Sequence, residues 1–169
     1  ALYQTFLTHL PTGGRIIDLG CGSGRDTKKK KKKGFDVFAT DGSEELCKLA
    51  TEYTGLNILC SDYEDLKFKT SSFDGIWCCA SLLHLSRLEL PNILLKLKTW
   101  LISNGVLYAS FKYGDKERNE ENRYFNDLNE DYFQSKLLTS IDMELVKVWK
   151  TNETRNEQEI NWFNFILKK

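Results

Sequence analysis

Short apolar runs alternate with longer stretches of helical spacing along the first two-thirds of the chain. Residues 1–10 set Leu2, Phe6 and Leu10 four apart, on one face of a helix, before Pro11-Thr12-Gly13-Gly14 breaks it. The runs at 15–19, 35–40, 57–60, 73–79 and 106–112 read as strands. The fourth, ending Ile76-Trp77-Cys78-Cys79, is apolar enough for a strand buried on both faces. Helices are predicted from near Arg25, over 44–53, and from about 86 to 101. Ser43 suits the N-cap of the second, with Glu44 and Glu45 in its first turn. Leu90, Ile93, Leu94, Leu97 and Leu101 form the stripe of the third, whose first turn accommodates Pro91. Ser103-Asn104-Gly105 caps it. Residues 115–131 hold seven acids and three bases and read as a surface insertion or lid, its bounds set at 113–127; a helix follows at 128–138. Two apolar and aromatic runs, 143–150 and 160–167, flank the polar segment 151–159 and predict a closing antiparallel hairpin. Strands alternating with helices at this spacing predict an α/β fold on a mostly parallel sheet.

One expected helix breaks the pattern. Residues 28–33 are six consecutive lysines, with none of the apolar residues that a helix packed on a sheet must bury. The run is read as a solvated face, or as residues standing in for an undetermined stretch, rather than as a patch for an anionic partner. It also changes the meaning of the charge: 24 basic and 24 acidic residues balance, but without these lysines acids exceed bases by six. The composition therefore makes no general electrostatic case for nucleic acid.

With 41% hydrophobic residues, 169 residues suffice for one buried core, so a single domain over 1–169 is expected. No run approaches the roughly 18 apolar residues of a membrane span, and no charged-then-apolar N-terminal segment reads as a signal peptide. Cys21, Cys47, Cys60, Cys78 and Cys79 are odd in number and contain no Cys-x-x-Cys, and there are two histidines, so no metal site is expected. Reduced cysteines in a cytoplasmic protein, a monomer or a homodimer, are the plain reading.

The chemistry gathers at the strand ends, where a parallel sheet binds its ligands. Strand one runs through Asp18 into Gly20-Cys21-Gly22-Ser23-Gly24, a turn in which backbone must come close to a ligand. Strand two ends in Asp41, 21 residues after Gly20 and placed to accept hydrogen bonds from ribose hydroxyls. Strand three ends in Ser61-Asp62-Tyr63, whose acid can accept from an exocyclic amine. Strand four ends in Cys79-Ala80-Ser81, with His84 close behind. The glycine spacing is G-x-G-x-G, not G-x-G-x-x-G, and acids at Asp18 and Asp26 flank the loop. Acids are badly placed beside a pyrophosphate but suit a ligand carrying an ammonium and a sulfonium, which points to S-adenosylmethionine.

These motifs, with Phe73-Asp74-Gly75-Ile76-Trp77-Cys78 and Leu101-Ile102-Ser103-Asn104-Gly105, resemble the successive motifs of class I S-adenosylmethionine-dependent methyltransferases. The resemblance covers about residues 10–115 and looks closest to small bacterial methyltransferases of the tellurite-resistance type. It implies a Rossmann-like three-layer sandwich, with seven strands and a C-terminal antiparallel hairpin. It also implies site roles. Gly20, Cys21, Gly22 and Gly24 would lie along the methionine part of the cofactor, and Asp18 would help hold its ammonium, partly through backbone and water. Arg25 would pair with its carboxylate. Asp41, with Gly42 and Ser43, would take the ribose. Asp62 would meet the adenine amine, the Tyr63 backbone would lie beside the ring, and Cys79 and Ala80 would line the reactive end. The lysine run departs from the family, which has apolar residues there.

Methyl transfer from a sulfonium needs alignment of donor and acceptor, and a base only if the acceptor must lose a proton. His84 is the candidate base, against a helix-start histidine satisfied by backbone. Lys112, Tyr113, Arg123, Tyr124 and Arg155 either form a cationic, aromatic mouth for an anionic or planar substrate, or are ordinary surface charge and hairpin packing. Trp162 and Phe163 are read as core. A small-molecule acceptor is the expected substrate. An RNA-modifying methyltransferase and a non-catalytic module that only binds S-adenosylmethionine are the alternatives.

Overall fold

A computed structural model describes residues 2–169. In chain order, α1 (Leu2–Leu7) precedes β1 (Arg15–Leu19), α2 (Arg25–Lys32), β2 (Asp36–Asp41), α3 (Glu44–Thr54) and β3 (Leu59–Cys60). Then come β4 (Phe73–Cys78), a 3-10 turn (Leu82–His84), α4 (Leu90–Trp100) and β5 (Leu101–Lys112). A hairpin of β6 (Glu117–Glu120) and β7 (Arg123–Asn126) leads to a helical stretch, which divides into α5 (Glu130–Tyr132), a π turn (Phe133–Leu137) and α6 (Leu138–Ile141). The chain closes with β8 (Glu144–Arg155) and β9 (Gln158–Lys168).

Seven strands form one sheet in the order β3-β2-β1-β4-β5-β9-β8. The first five run parallel, and β9 and β8 are antiparallel, as the sequence predicts. The winding reverses between β1 and β4, and that switch opens a crevice at their carboxyl ends.

Alternation along the strands decides which layer each residue joins. Ile17, Ile76, Leu107 and Phe165 face α4 and the 130–141 helix in one core. Ile16, Trp77, Tyr108 and Ile166 face the other way and enclose Phe6 of α1, whose ring lies 5.2 Å from that of Trp77. The close approach of α1 needs Gly75 in β4: a Cβ there would lie 2.6 Å from the Phe6 ring.

Asp18 falls on the same side as Trp77 and meets α2. There one residue of the lysine run departs from a solvated face. Lys30 is fully buried and donates to Asp18 Oδ2 at 2.9 Å, with its ammonium 4.5 Å from the Trp77 ring. Thr27 Oγ1 donates to the same oxygen at 2.7 Å, so the buried charges are paired and hydrogen-bonded. Lys28 and Lys31 donate to the carbonyls of Tyr53 and Thr54, at the negative end of α3. Lys30 is thus built into the core, while Lys29, Lys31, Lys32 and Lys33 stay exposed on the outer face of the helix.

Several boundaries differ from the sequence reading. Pro91 belongs in a first turn, and α4 starts at Leu90 rather than near 86, after a turn closed by the Ser86 N–H and hydroxyl donating to Glu89. Ser103-Asn104-Gly105 lies within β5 as an irregularity, with Asn104 at φ 64°, and does not separate helix from strand. β3 shrinks to two residues at the sheet edge. The polar 113–127 segment folds into a two-stranded hairpin, and the polar 151–159 segment continues both closing strands to the two-residue turn Asn156-Glu157.

Candidate active site

The glycine loop is held from three sides. The Gly20 and Cys21 N–H groups both donate to the Thr40 carbonyl at 2.9 Å, drawing the loop across the end of β2. Gly20 has φ 69°, and a Cβ there would lie 2.4 Å from Ser81 Cβ, so no other residue fits between the ends of β1 and β4. The Gly22 N–H donates to Asp41 Oδ2 at 2.8 Å, while Oδ1 of the same carboxylate accepts from the Ser43 N–H at 3.0 Å. Asp41 therefore straps the loop to the start of α3, and each of its oxygens keeps a further lone pair for a ligand. Gly24 serves a different purpose: a Cβ there would lie 2.6 Å from Thr54, so its bareness lets α2 pack on α3.

Three cavities meet beyond the strand ends. The first, about 340 Å³, lies between the glycine loop and the ends of β2 and β3, lined by Gly20, Gly22, Asp41, Gly42, Ser43, Asp62 and Tyr63. The second, about 300 Å³, lies between the 3-10 turn and the two hairpins, with His84, Lys112, Arg123, Arg155 and Trp162 in its wall. The third, about 570 Å³, opens beside α1 and contains Arg25, Cys79, Ser110 and Arg155. Ala80 lines all three.

Ala80 is also strained. Its φ is 51°, a left-handed conformation that costs a non-glycine residue on the order of 1 kcal/mol. Ser110 Oγ accepts from its N–H at 2.8 Å and fixes the bend. Beside it the buried Ser81 Oγ has no hydrogen-bond partner among the described residues. A separate groove of about 520 Å³ runs along α3 between Glu44 and Cys60 and takes in no part of the glycine loop.

His84 ends the 3-10 turn. Its Nδ1 lies 2.8 Å from the Tyr124 carbonyl, which fixes the proton on Nδ1, and its Nε2 faces Arg123 Nη2 at 3.3 Å. Burial pushes its pKa below the usual value, and the charges of Arg123 and Lys112 act the same way, against the carbonyl hydrogen bond. The ring is therefore a neutral imidazole whose Nε2 accepts from the Arg123 guanidinium and becomes free to take a proton only when Arg123 turns to another partner. Burial, then Asp18 and Asp41, push the Cys21 thiol up to about 12, so it stays protonated.

Some candidates lie elsewhere. The Asp18 carboxylate is turned into α2 and lines none of the cavities, so its side chain is placed to anchor that helix rather than to meet an ammonium. Cys21 packs against the cluster of Ala39, Cys47, Ala50 and Ile58. Tyr113 donates to Glu130 at 2.9 Å, and Tyr124 donates to Glu117. Both rings stay outside the cavities, because strand alternation and hairpin pairing point them away. Trp162, read as core from the sequence, is half-buried and lines the second and third cavities; Phe163 next to it is fully buried. Ser110 was missed, although its polar side chain within the apolar Leu107–Phe111 alternation is a signal that strand five presents something to a site.

The profile of the methyltransferase domain matches residues 17–109, from β1 through the glycine loop into β5. This chain belongs to the methyltransferase domain family. It is 30% identical over 124 residues to phosphoethanolamine N-methyltransferase 1 of maize (Zea mays), a match taking in 66% of this chain and 25% of that protein. The chain spans between 25% and 34% of the length of the first curated relatives it matches. Among solved structures, a methyltransferase of Methanosarcina mazei described as S-adenosylmethionine-dependent superposes with a TM-score of 0.84 at 20% identity, covering 99% of this chain and 97% of that one. The 1,6-didemethyltoxoflavin-N1-methyltransferase of Burkholderia thailandensis, solved with 1,6-didemethyltoxoflavin and S-adenosylhomocysteine bound, gives 0.81 at 20% identity over 98% of this chain and 75% of that one. The methyltransferase domain therefore carries the Rossmann-like architecture that its sequence predicts.

Proposed function

We propose that this methyltransferase domain moves a methyl group from S-adenosylmethionine to a small molecule, within the single unit spanned by 1–169. The observation that carries the reading is the convergence of the three cavities on Ala80. A donor laid along two of them brings its reactive end to the wall of the other.

The residues fit the cofactor. The first cavity ends in two carboxylates, Asp41 and Asp62, separated by the bare backbone of Gly20, Gly22 and Gly42. Asp41 would accept the ribose hydroxyls on its spare lone pairs, and Asp62 the adenine amine, with Tyr63 beside the ring. Arg25, in the third cavity, would meet the cofactor's carboxylate. Bound there, S-adenosylmethionine supplies a methyl group already activated by its sulfonium. The protein's part is to align the acceptor and exclude water. Ala80, held by Ser110, sets the wall against which the acceptor stops. His84 takes a proton at Nε2 from an acceptor that must lose one, because its Nδ1 is held by the Tyr124 carbonyl. The second cavity, about 300 Å³, suits a compact acceptor. The finer likeness to tellurite-resistance methyltransferases rests on the sequence resemblance alone.

Calorimetric titration with S-adenosylhomocysteine tests the cofactor site. Asp41→Ala removes both the ribose acceptor and the strap on Gly22, and should weaken binding at least a hundredfold, roughly two hydrogen bonds to a charged group. An unchanged affinity would refute the role given to Asp41. An acceptor screen with radiolabelled cofactor then tests methyl transfer.

A further inference from the structure

The second cavity lies between two hairpins from separate parts of the chain, and each delivers an arginine from beside its turn. Arg123 opens β7, paired with Glu120 across the Glu121-Asn122 turn; Arg155 ends β8, paired with Gln158 across the Asn156-Glu157 turn. Both arginines line the cavity, and Arg123 brings its guanidinium to His84 there. Among the described residues neither forms an ion pair with an acid. Arg123 has His84 as its hydrogen-bond partner, and the other acid–base pairs nearby leave both arginines out. Glu120 is shared by Lys112, at 3.5 Å, and Arg118. Glu121 lies in the wall at the turn, and Glu153 in that of the third cavity. The neutral His84 adds no positive charge. Trp162 supplies a flat apolar surface to the same space.

We propose that the methyl acceptor is a planar anion, an aromatic or heteroaromatic carboxylate lying on Trp162 with its carboxylate held between Arg123 and Arg155. The proposal rests on the cofactor reading above and names the substrate class of that site. Two guanidinium groups without an acidic partner suit a carboxylate because their planar donors match its two oxygens, and a carboxylate that draws Arg123 off His84 frees Nε2. The donor's sulfonium adds a third positive charge to the same end. A cationic acceptor would approach three like charges, whereas an anion neutralises part of them. The accepting atom, an O–H or N–H on the ring, then lies between Ala80 and His84. Its proton passes to His84 Nε2. The electron pair of that bond forms the new bond to carbon, and the carbon–sulfur pair stays with sulfur, leaving S-adenosylhomocysteine.

The test titrates the protein saturated with S-adenosylhomocysteine using three acids: 2-hydroxybenzoate, 3-hydroxypyridine-2-carboxylate and 4-hydroxyquinoline-2-carboxylate. Each is compared with its neutral amide. At least one acid should bind tenfold or more tightly than its amide. Arg155→Gln should remove that preference while S-adenosylhomocysteine, titrated again on the variant, still saturates the protein, and Arg155→Lys should restore part of it. Trp162→Ala should weaken acid and amide alike. Equal binding of acid and amide in all three pairs, or an acid preference that survives Arg155→Gln and Arg123→Gln together, overturns the proposal. If S-adenosylhomocysteine itself fails to bind, the cofactor reading falls and this proposal falls with it. Binding of S-adenosylhomocysteine without acid preference sinks the acceptor class alone.

Discussion

The two ends of the candidate site are built from different materials. Between β1 and β3 the ligand would meet the bare backbone of a glycine loop and short acids that end strands. Between β5 and β9 it would meet the tips of long side chains, Lys112, Arg123, Arg155 and Trp162, carried on hairpins. The first end is stiff, because Asp41 ties Gly22 to the N-terminus of α3 and Ser81 presses on Gly20. The second is adjustable, since an exposed arginine can swing while its strand stays paired. A fixed donor site joined to a variable acceptor site is the division expected of a scaffold that carries many substrates.

The comparison breaks most readily at Gly20. Gly20→Ala forces a left-handed alanine and drives its Cβ to 2.4 Å from Ser81, between two strand ends that cannot part. The expected cost is about 2–4 kcal/mol in stability, with binding of S-adenosylhomocysteine lost. Chemical denaturation and calorimetry would detect both, and a variant of native stability and affinity would show that the stiff end is not stiff.

His84 joins the two ends, since it lines both the first and second cavities. Its pKa in the fold is lowered, mainly by burial. The sign follows: the neutral base is present above that lowered value, so the rate with an acceptor that must lose a proton should stay level through neutral pH. It should fall about tenfold per unit below it, at a pH under 6.5. The unfolded chain binds a proton more readily than the fold, so the same group destabilises the protein as pH drops from 6.5 through the folded value. His84→Gln should lower turnover about a hundredfold and abolish the acid limb. An acid limb that persists in that variant would belong to another group.

The stiff end was legible in the sequence because its chemistry is written in residue types that have few other uses. Gly20, Gly22 and Asp41 each sit at a strand end in fixed spacing, and the structure brings them to one cavity with Asp62. Gly24 shares the spacing but works in helix packing, and Asp18 shares the acidity but points into α2. Spacing along a strand gives the residue number and leaves the face to the sheet register. The adjustable end was harder to read. Residues 117–126 and 151–159 are polar on exposed strands, so the alternation that marks a half-buried strand is missing, and tertiary pairing supplies what local pattern does not. Trp162 and Phe163 lie between the polar Asn161 and Asn164 and read as core. The cavity beside Trp162 exists only once β9 has paired with β5.

Ala80 tests the meeting point with a smaller expected effect. Ala80→Gly relaxes a φ of 51° and should raise stability by up to about 1 kcal/mol, seen as a shift in thermal midpoint. Turnover should fall several-fold because the wall shared by the three cavities loosens. An unchanged rate would mean that the strained bend is a folding feature only.

The smallest expected effect lies at the far tip of the adjustable end. The β8–β9 turn has Asn156 at φ 49° and Glu157 at φ 62°, the pair of left-handed residues of a type I′ turn, which favours Asn-Gly. Glutamate occupies the second position against that preference. Glu157→Gly should therefore stabilise the hairpin by about 0.5–1 kcal/mol, the cost of holding a non-glycine residue in that conformation. It changes neither the glycine loop nor Asp41, so affinity for S-adenosylhomocysteine should stay the same. Arg155 is two residues away, so binding of a planar acid should tighten slightly if a firmer turn fixes its guanidinium. A gain in stability with a matching change in cofactor affinity would show that the two ends are coupled through β9 and β5, and the separation of stiff donor end from adjustable acceptor end would have to be given up.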